Sequence, residues 1–385
     1  MPRPVLISAR ALLVLSFASA AGCYGTPRSD WPHAGTSSPG SGGASGSAGT
    51  AGGQGGSGGA AGTGGTATGL AGTGGGGAAG SSNPVFVGGP CVTTPDGTAL
   101  EVFARSSDGR ILRRAYDGSN WGDWANLAAL DGQIIDARSD LDCSANGTTI
   151  HLVAAGLNPI GGLLRAFGSN TIYNPFVREL ASFSFAPSPS IAVVTDTHYF
   201  LGALAIGGTT PALYELGETS STRQLTPIAT EAASIRSGPD IAFQTFGASL
   251  VTHFVGFDTA GNLAVYFHVI NSGGAHWEDP VKLSPPLGTF TFSPTVCTEN
   301  GGFGVTSINL VAAAGGQLWH SQSSSITSAF SSWAPIASAP ASSPDCTVTG
   351  PQSIVHVVAA STAGTVLDVN GKGTTWVVTD LGSPR

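Results

Sequence analysis

Charge is scarce in this chain. Of 385 residues only 10% are Asp, Glu, Lys or Arg, and the formal net charge is −8. A nucleic-acid binder needs a basic stripe that displaces counterions, and none is visible, so DNA and RNA are excluded as partners. The scattered Lys and Arg form no polybasic membrane patch either. Helical periodicity is almost missing from residue 84 onward. There is no HExxH zinc motif, no CxxC, and no nucleophile elbow between a strand and a helix. No Gly-Lys-Ser/Thr follows the glycine runs, so they hide no P-loop. Neither a cofactor nor a metal is indicated.

What is present divides into three parts. Residues 1–23 read as an export signal: Arg3 and Arg10 precede the short apolar run "ALLVLSFASAAG". The run ends in "SAAGC", which resembles a lipobox and makes Cys23 the candidate lipidation site. Cleavage after Ala20 to release a secreted protein is the alternative. The expected location is the outer membrane or cell surface of a Gram-negative bacterium, outside the cytoplasm, where disulfides form. Residues 24–83 are dominated by Gly, Ser, Ala and Thr. Such a segment buries too little apolar surface to offset its ordering entropy, and reads as a tether reaching roughly 40 Å.

Residues 84–385 carry a repeat. Short apolar runs alternate with Gly, Asp, Asn, Ser and Pro turns, the pattern of an all-β structure. The stretch "LEVFARSSDGRILRRAYDGSNWGDW" at 100–124 shows the unit: an apolar strand, a Gly turn, an aliphatic anchor and an aromatic segment. Anchors recur at Ile111, Leu163, Leu213, Leu263, Leu318 and Val366, 48 to 55 residues apart. Trp121, Tyr173, Arg223 and Trp376 each sit ten residues past their anchors. Cys91 and Cys143 are 52 residues apart and Cys297 and Cys346 are 49 apart, the same ruler. A single four-stranded blade cannot bury both faces, whereas a closed ring of blades does. The expectation is a β-propeller of six blades rather than seven, each of four antiparallel strands. Their limits are roughly 85–140, 141–190, 191–240, 241–295, 296–345 and 346–385. Four cysteines allow three pairings. Cys91 with Cys143 and Cys297 with Cys346 is preferred, and Cys91 with Cys346 is the competitor if the ring closes.

The blade at 100–124 resembles bacterial propeller lectins of the Photorhabdus lectin family. Leu100, Val102, Phe103, Arg105, Asp108, Ile111, Asp117, Gly118, Ser119, Trp121 and Trp124 fit that pattern. Glu101 and Arg113 stand where the family has Asp or His and His. In the fifth repeat Leu318, Trp319 and His320 fit. A looser likeness extends to six-bladed fucose-binding lectins of fungi. The resemblance implies noncatalytic binding of a glycan in clefts between blades.

The residues suggest where. Sugars stack their C–H faces on aromatic rings, and Trp tolerates such wet sites. Trp121, Trp277 and Trp319, beside polar turn residues, are the candidate ligand contacts, with Arg105, Arg113, Arg114 and His320 as polar partners. Trp124, Trp333 and Trp376 are expected to pack blade on blade. A polar position recurs in the apolar strand as Glu101, His151, His198, His253, Asn309 and His356. It is expected to be buried and hydrogen-bonded to the neighbouring blade. Its histidines lie on different blades without ligand spacing, so no metal cage is expected. Two other functions stay open: a polysaccharide hydrolase or lyase with its site in the central channel, and a protein-binding propeller whose sugar sites have decayed.

Overall fold

A computed structural model describes residues 84–384, apart from 132–134, 137–138, 157–161, 180–187, 196–197, 205–210, 217–221, 226–234, 236, 247–248, 300–306, 326–327 and 339. The signal, Cys23 and the Gly-rich segment lie outside the described residues. Six antiparallel sheets follow one another along the chain, four of them four-stranded and two with a fifth short strand. Blade one is Phe86–Thr93, Leu100–Ser106, Ile111–Tyr116 and Ala125–Asn126. Blade two is Asp142–Asn146, Thr149–Gly156, Gly162–Ser169 and Ile172–Tyr173, with Val177–Glu179 added to its third strand. Blade three is Ser190–Thr195, His198–Leu204, Pro211–Leu216 and Thr222–Leu225. Blade four is Asp240–Phe246, Ser249–Phe257, Leu263–Asn271 and Gly274–Trp277, with Val281–Leu283 added. Blade five is Thr295–Thr298, Ile308–Ala314, Gln317–Ser323 and Ala334–Ser338. Blade six is Asp345–Thr349, Ile354–Ala360, Val366–Lys372 and Thr375–Asp380.

The first strands of consecutive blades are neighbours, and that of blade six neighbours that of blade one. The protein is therefore a closed six-bladed β-propeller. The stretch at 100–124 is the middle hairpin of blade one. Its turn needs glycine: Gly109 has φ +89°, and the matching Gly261, Gly316 and Gly364 are also left-handed, at +85°, +75° and +77°.

Side chains alternate along a strand, so each second strand serves two joints at once. Leu100, Val102 and Ala104 pack toward blade six, whereas Phe103 packs toward blade two. The same division yields six apolar clusters, one per joint. Both faces of a blade are thus core, which explains why its central strands are apolar almost throughout. Cys91–Cys143 fastens joint one/two and Cys297–Cys346 fastens joint five/six, with Cα atoms 5.8 and 5.6 Å apart.

No strand is shared between the chain's two ends: blades one and six are each built from contiguous sequence. Hydrogen bonds close the ring instead. Val92 N donates to Asp345 Oδ2 at 2.7 Å, Trp124 Nε1 donates to Leu381 O at 2.8 Å, and Arg114 Nη1 donates to the same carbonyl. Arg114 also lies over the Trp124 ring, 5.9 Å from its centroid. Trp124→Phe is expected to cost about 1 kcal/mol, and adding Arg114→Met to cost more than the sum of the two single changes, because Leu381 O then loses both donors. Urea unfolding of the four-member mutant cycle measures this.

Candidate functional site

The third strand of each blade decides where polar side chains go. Arg113 and Arg114 are consecutive, so they face opposite joints. Arg114 is spent on ring closure, toward blade six. Arg113 faces blade two and grips Glu101 through both carboxylate oxygens, Nη2 to Oε1 at 2.5 Å and Nε to Oε2. The hydrogen bond to Glu101 raises the Arg113 pKa further above its ordinary value. Trp319 and His320 separate in the same way. Trp319 packs on the joint-four/five cluster and donates Nε1–H to Ala314 O in its own hairpin. His320 faces joint five/six.

The recurring polar position finds its partner within its own blade, not on the neighbouring blade. Besides Glu101 with Arg113, His151 Nδ1 meets Arg165 Nη1 at 3.1 Å and His253 Nε2 meets Gln244 Oε1 at 3.0 Å. Asn309 Oδ1 accepts from His320 Nε2 at 3.0 Å, and His356 Nδ1 meets Asp368 Oδ1 at 3.1 Å. Register is the reason: the partner stands on an adjacent strand at the same face, within a cross-strand spacing. Blade three departs. Its pairing sets Phe200, rather than His198, opposite Ala192, where Glu101 stands opposite Thr93 and Asn309 opposite Cys297.

Two joints bring such a pair against an aromatic ring on the outer strand of the next blade. At joint one/two, Tyr173 stands beside Glu101 and Arg113. It is only 5% exposed, its hydroxyl has no hydrogen-bond partner among the described residues, and burial pushes its pKa up. At joint five/six, Trp376 lies against His320, ring centroids 5.0 Å apart at 60°. In both blades a glycine places the ring: Gly168 pairs with Tyr173, and Gly371 with Trp376. A Cβ on Gly168 would lie 2.8 Å from Tyr173 Cγ, and one on Gly371 would lie 2.9 Å from Trp376 Cδ2. Each ring therefore lies across its glycine.

Joint five/six is open. A cleft of about 420 Å³ is lined by Asn309, His320, Gln322, Ser331, Ser353 and Lys372, among others. Its floor is a hydrogen-bond relay. His320 donates to Asn309, Asn309 Nδ2 donates to Ser307 Oγ at 3.2 Å, and Ser307 Oγ donates to Glu299 Oε2 at 3.2 Å. Glu299 Oε1 accepts from Ser353 Oγ on blade six, so the relay crosses the joint. Burial drives the His320 pKa down to about 4, which keeps the ring neutral at pH 7. With Nε2–H given to Asn309, Nδ1 is its acceptor. Lys372 Nζ binds Gln352 O at 2.6 Å on the rim.

The structure places the remaining candidates as follows. Arg105 is buried, and its Nη1 donates to Asp136 O at 2.9 Å in the segment leading to blade two, so it holds blades together. Arg114, as described, closes the ring. Trp121 lies 5.2 Å from Tyr116, packed on the joint-six/one cluster. Trp277 lies 4.9 Å from His268 and packs at joint three/four. Trp333 donates Nε1–H to Ser284 O of blade four, a packing role like that of Trp124. Trp376 packs against the joint-five/six cluster as expected, and its ring also lies against His320, which lines the cleft. Tyr173, Asn309 and Glu299 were not among the candidates. The ten-residue offset after the anchors already set Tyr173 and Trp376 at equivalent places. Strand alternation separates Trp319 from His320.

Comparison with solved structures shows the same fold. AofleA from Arthrobotrys oligospora is 14% identical, covering 77% of this chain and 87% of that one, with a TM-score of 0.56. The SapL1 lectin, solved with α-methyl fucoside, is 13% identical over 77% of this chain and 96% of its own, with a TM-score of 0.57. The Aleuria aurantia lectin, described as a six-bladed β-propeller with a novel fucose recognition mode, is 12% identical over 78% and 97%, with a TM-score of 0.54. At these identities the likeness is one of fold. No family model and no curated protein matches the chain.

Proposed function

We propose that this propeller binds a neutral carbohydrate without catalysis, in the cleft of joint five/six. The observation that carries the reading is a cavity of about 420 Å³ lined by the buried, uncharged His320–Asn309 pair, with the Trp376 ring against His320. A pyranose offers a C–H face for the ring and hydroxyls that both donate and accept. His320 Nδ1 and the Glu299 carboxylate accept; Gln322 and Lys372 donate. The lectin neighbours support the reading, since SapL1 and the Aleuria lectin are described with fucosides or fucose recognition. At joint one/two the Glu101–Arg113 pair and Tyr173 occupy the equivalent place. Our reading also includes export and lipidation at Cys23, so that the segment 24–83 displays the ring at the cell surface.

A hydrolytic reading finds less support. The central channel carries Asp142, Asp240 and Asp345, and both oxygens of each accept backbone N–H groups. Such carboxylates are structural, and general acid–base work needs a pair in contrasting environments.

A glycan-array screen of the exported chain tests the proposal. Trp376→Ala is expected to lower the affinity for the selected glycan about tenfold or more, the loss typical of a central aromatic contact. Trp121→Ala and Trp319→Ala are expected to leave it unchanged. Equal binding by the Trp376 variant moves the site elsewhere, and silence of the whole array sinks the lectin reading.

A further inference from the structure

Two kinds of fastening alternate around the axis. The first strands of blades two, four and six begin with Asp142, Asp240 and Asp345. Each carboxylate accepts the N–H of its own next residue and reaches across to the next blade. Asp142 takes Ile191 N at 2.6 Å, Asp240 takes Val296 N at 2.7 Å, and Asp345 takes Val92 N at 2.7 Å. Joints two/three, four/five and six/one are latched in this way. At the same place the odd blades carry Cys91, Ser190 and Thr295, which have no carboxylate of their own. Joint one/two has instead Gly89 N donating to Asp140 Oδ1 at 2.5 Å, and joint five/six has Thr295 Oγ1 donating to Asp345 Oδ1 at 3.3 Å.

The three joints that follow the odd blades differ among themselves in a regular manner. Joints one/two and five/six hold a polar pair facing an outer aromatic ring, and each has a disulfide. Joint three/four has Phe200 at the polar position, packed with Ala192, Ile241 and Phe254, and no cysteine. An all-apolar joint closes by its own burial. A joint that gives its middle to a polar pair forfeits those contacts and needs another closure. The placement is local: Cys297 is the direct cross-strand partner of Asn309, and Cys91 stands two residues from Thr93, the partner of Glu101. Cross-strand partners project from the same face, so each disulfide lies directly inward of its polar pair.

We propose that each disulfide is the positioning element of the polar pair and ring on its own joint. Cys297–Cys346 holds the Asn309–His320 wall at working distance from Trp376, and Cys91–Cys143 does the same for Glu101–Arg113 and Tyr173. Reduction loosens these two joints before it opens the ring, because the three Asp latches are untouched by reductant. The inference rests on the glycan-binding reading for its biological sense, and its test does not.

Hydrogen exchange on the full-length chain decides it. Cys297→Val with Cys346→Val is expected to raise exchange about tenfold or more in 317–323 and 375–380, while 111–116 and 172–173 keep wild-type protection. Cys91→Val with Cys143→Val is expected to do the reverse. Should a double variant fail to fold, graded thiol reduction of the native chain gives the same comparison, with both joints deprotecting before the first strands. Equal deprotection of all six blades, or none at either joint, overturns the proposal. Array binding is read in parallel and is expected to vanish on reduction and return on reoxidation. A native chain that binds no glycan refutes the lectin reading while the exchange data still judge the disulfides.

Discussion

Alanine at Gly371 is expected to abolish glycan capture at joint five/six while leaving the propeller folded. A Cβ there would collide with Thr375 O and lie 2.9 Å from Trp376 Cα, both backbone neighbours in the adjoining strand. Backbone atoms do not swing aside as a flexible side chain does, so the strand Thr375–Asp380 must shift outward. That strand is the outer edge of blade six, bonded on one side only. Overpacking of this kind costs typically about 1–3 kcal/mol, which a domain of six blades survives. Trp376 travels with the strand, and its contact with His320 is lost. Gly168→Ala in blade two is the matched control, because its Cβ would meet Ile172 O and Tyr173 Cα in the same way. It is expected to lower the melting temperature by a similar amount and to leave binding at joint five/six intact. Thermal unfolding together with array binding of the two variants checks both halves. Similar binding loss in both would mean that the glycines act through global stability.

Between about pH 4 and 6 two sets of buried groups are expected to pull the stability in opposite directions. Burial raises the pKa values of Asp142, Asp240 and Asp345, that of Asp240 to about 6, and repulsion among the three adds to the rise of Asp142 and Asp345. Among the described residues, no Lys or Arg lines the channel beside them. A carboxylate whose folded pKa exceeds its unfolded value stabilises below the unfolded pKa, and that contribution is lost as pH rises through the folded pKa. The Asp240 contribution is therefore lost as pH rises from about 4 through about 6. His253 and His320 act in the opposite sense. Burial lowers them to about 3 and about 4, so the unfolded chain takes up protons first, and stability is lost as pH falls below 6.5. Melting temperatures from pH 4 to pH 7 reveal the balance. Asp240→Asn is expected to make stability rise more steeply with pH over this range, and His253→Gln less steeply. A profile indifferent to both changes would refute the assignment.

Much of the fold was legible because a propeller is a local object repeated. Each blade is one contiguous stretch, the middle hairpins of blades one, four, five and six turn on a left-handed glycine, and the apolar strands recur every 50 residues or so. Cysteine spacing followed the same ruler, and the preferred pairing is the one found. The site was legible only in part. His320 and Arg113 were recognised as polar residues beside the repeat's aromatic segment. Their consecutive neighbours Trp319 and Arg114 were grouped with them, although alternation along a strand sends neighbours to different joints. Blade three shows a further limit: its register sets Phe200 where the spacing suggested His198.

By itself, then, the amino-acid sequence determined that there would be blades, how many, and that they must close on one another, because an apolar strand with two greasy faces has no other way to leave water. The tertiary structure alone decided which polar groups would be consumed as struts and which would line a cleft. Arg114 finds its carbonyl 267 residues away at Leu381, and Ser353 reaches Glu299 from 54 residues away. Such partners meet only across joints, and a joint exists only once the ring has closed.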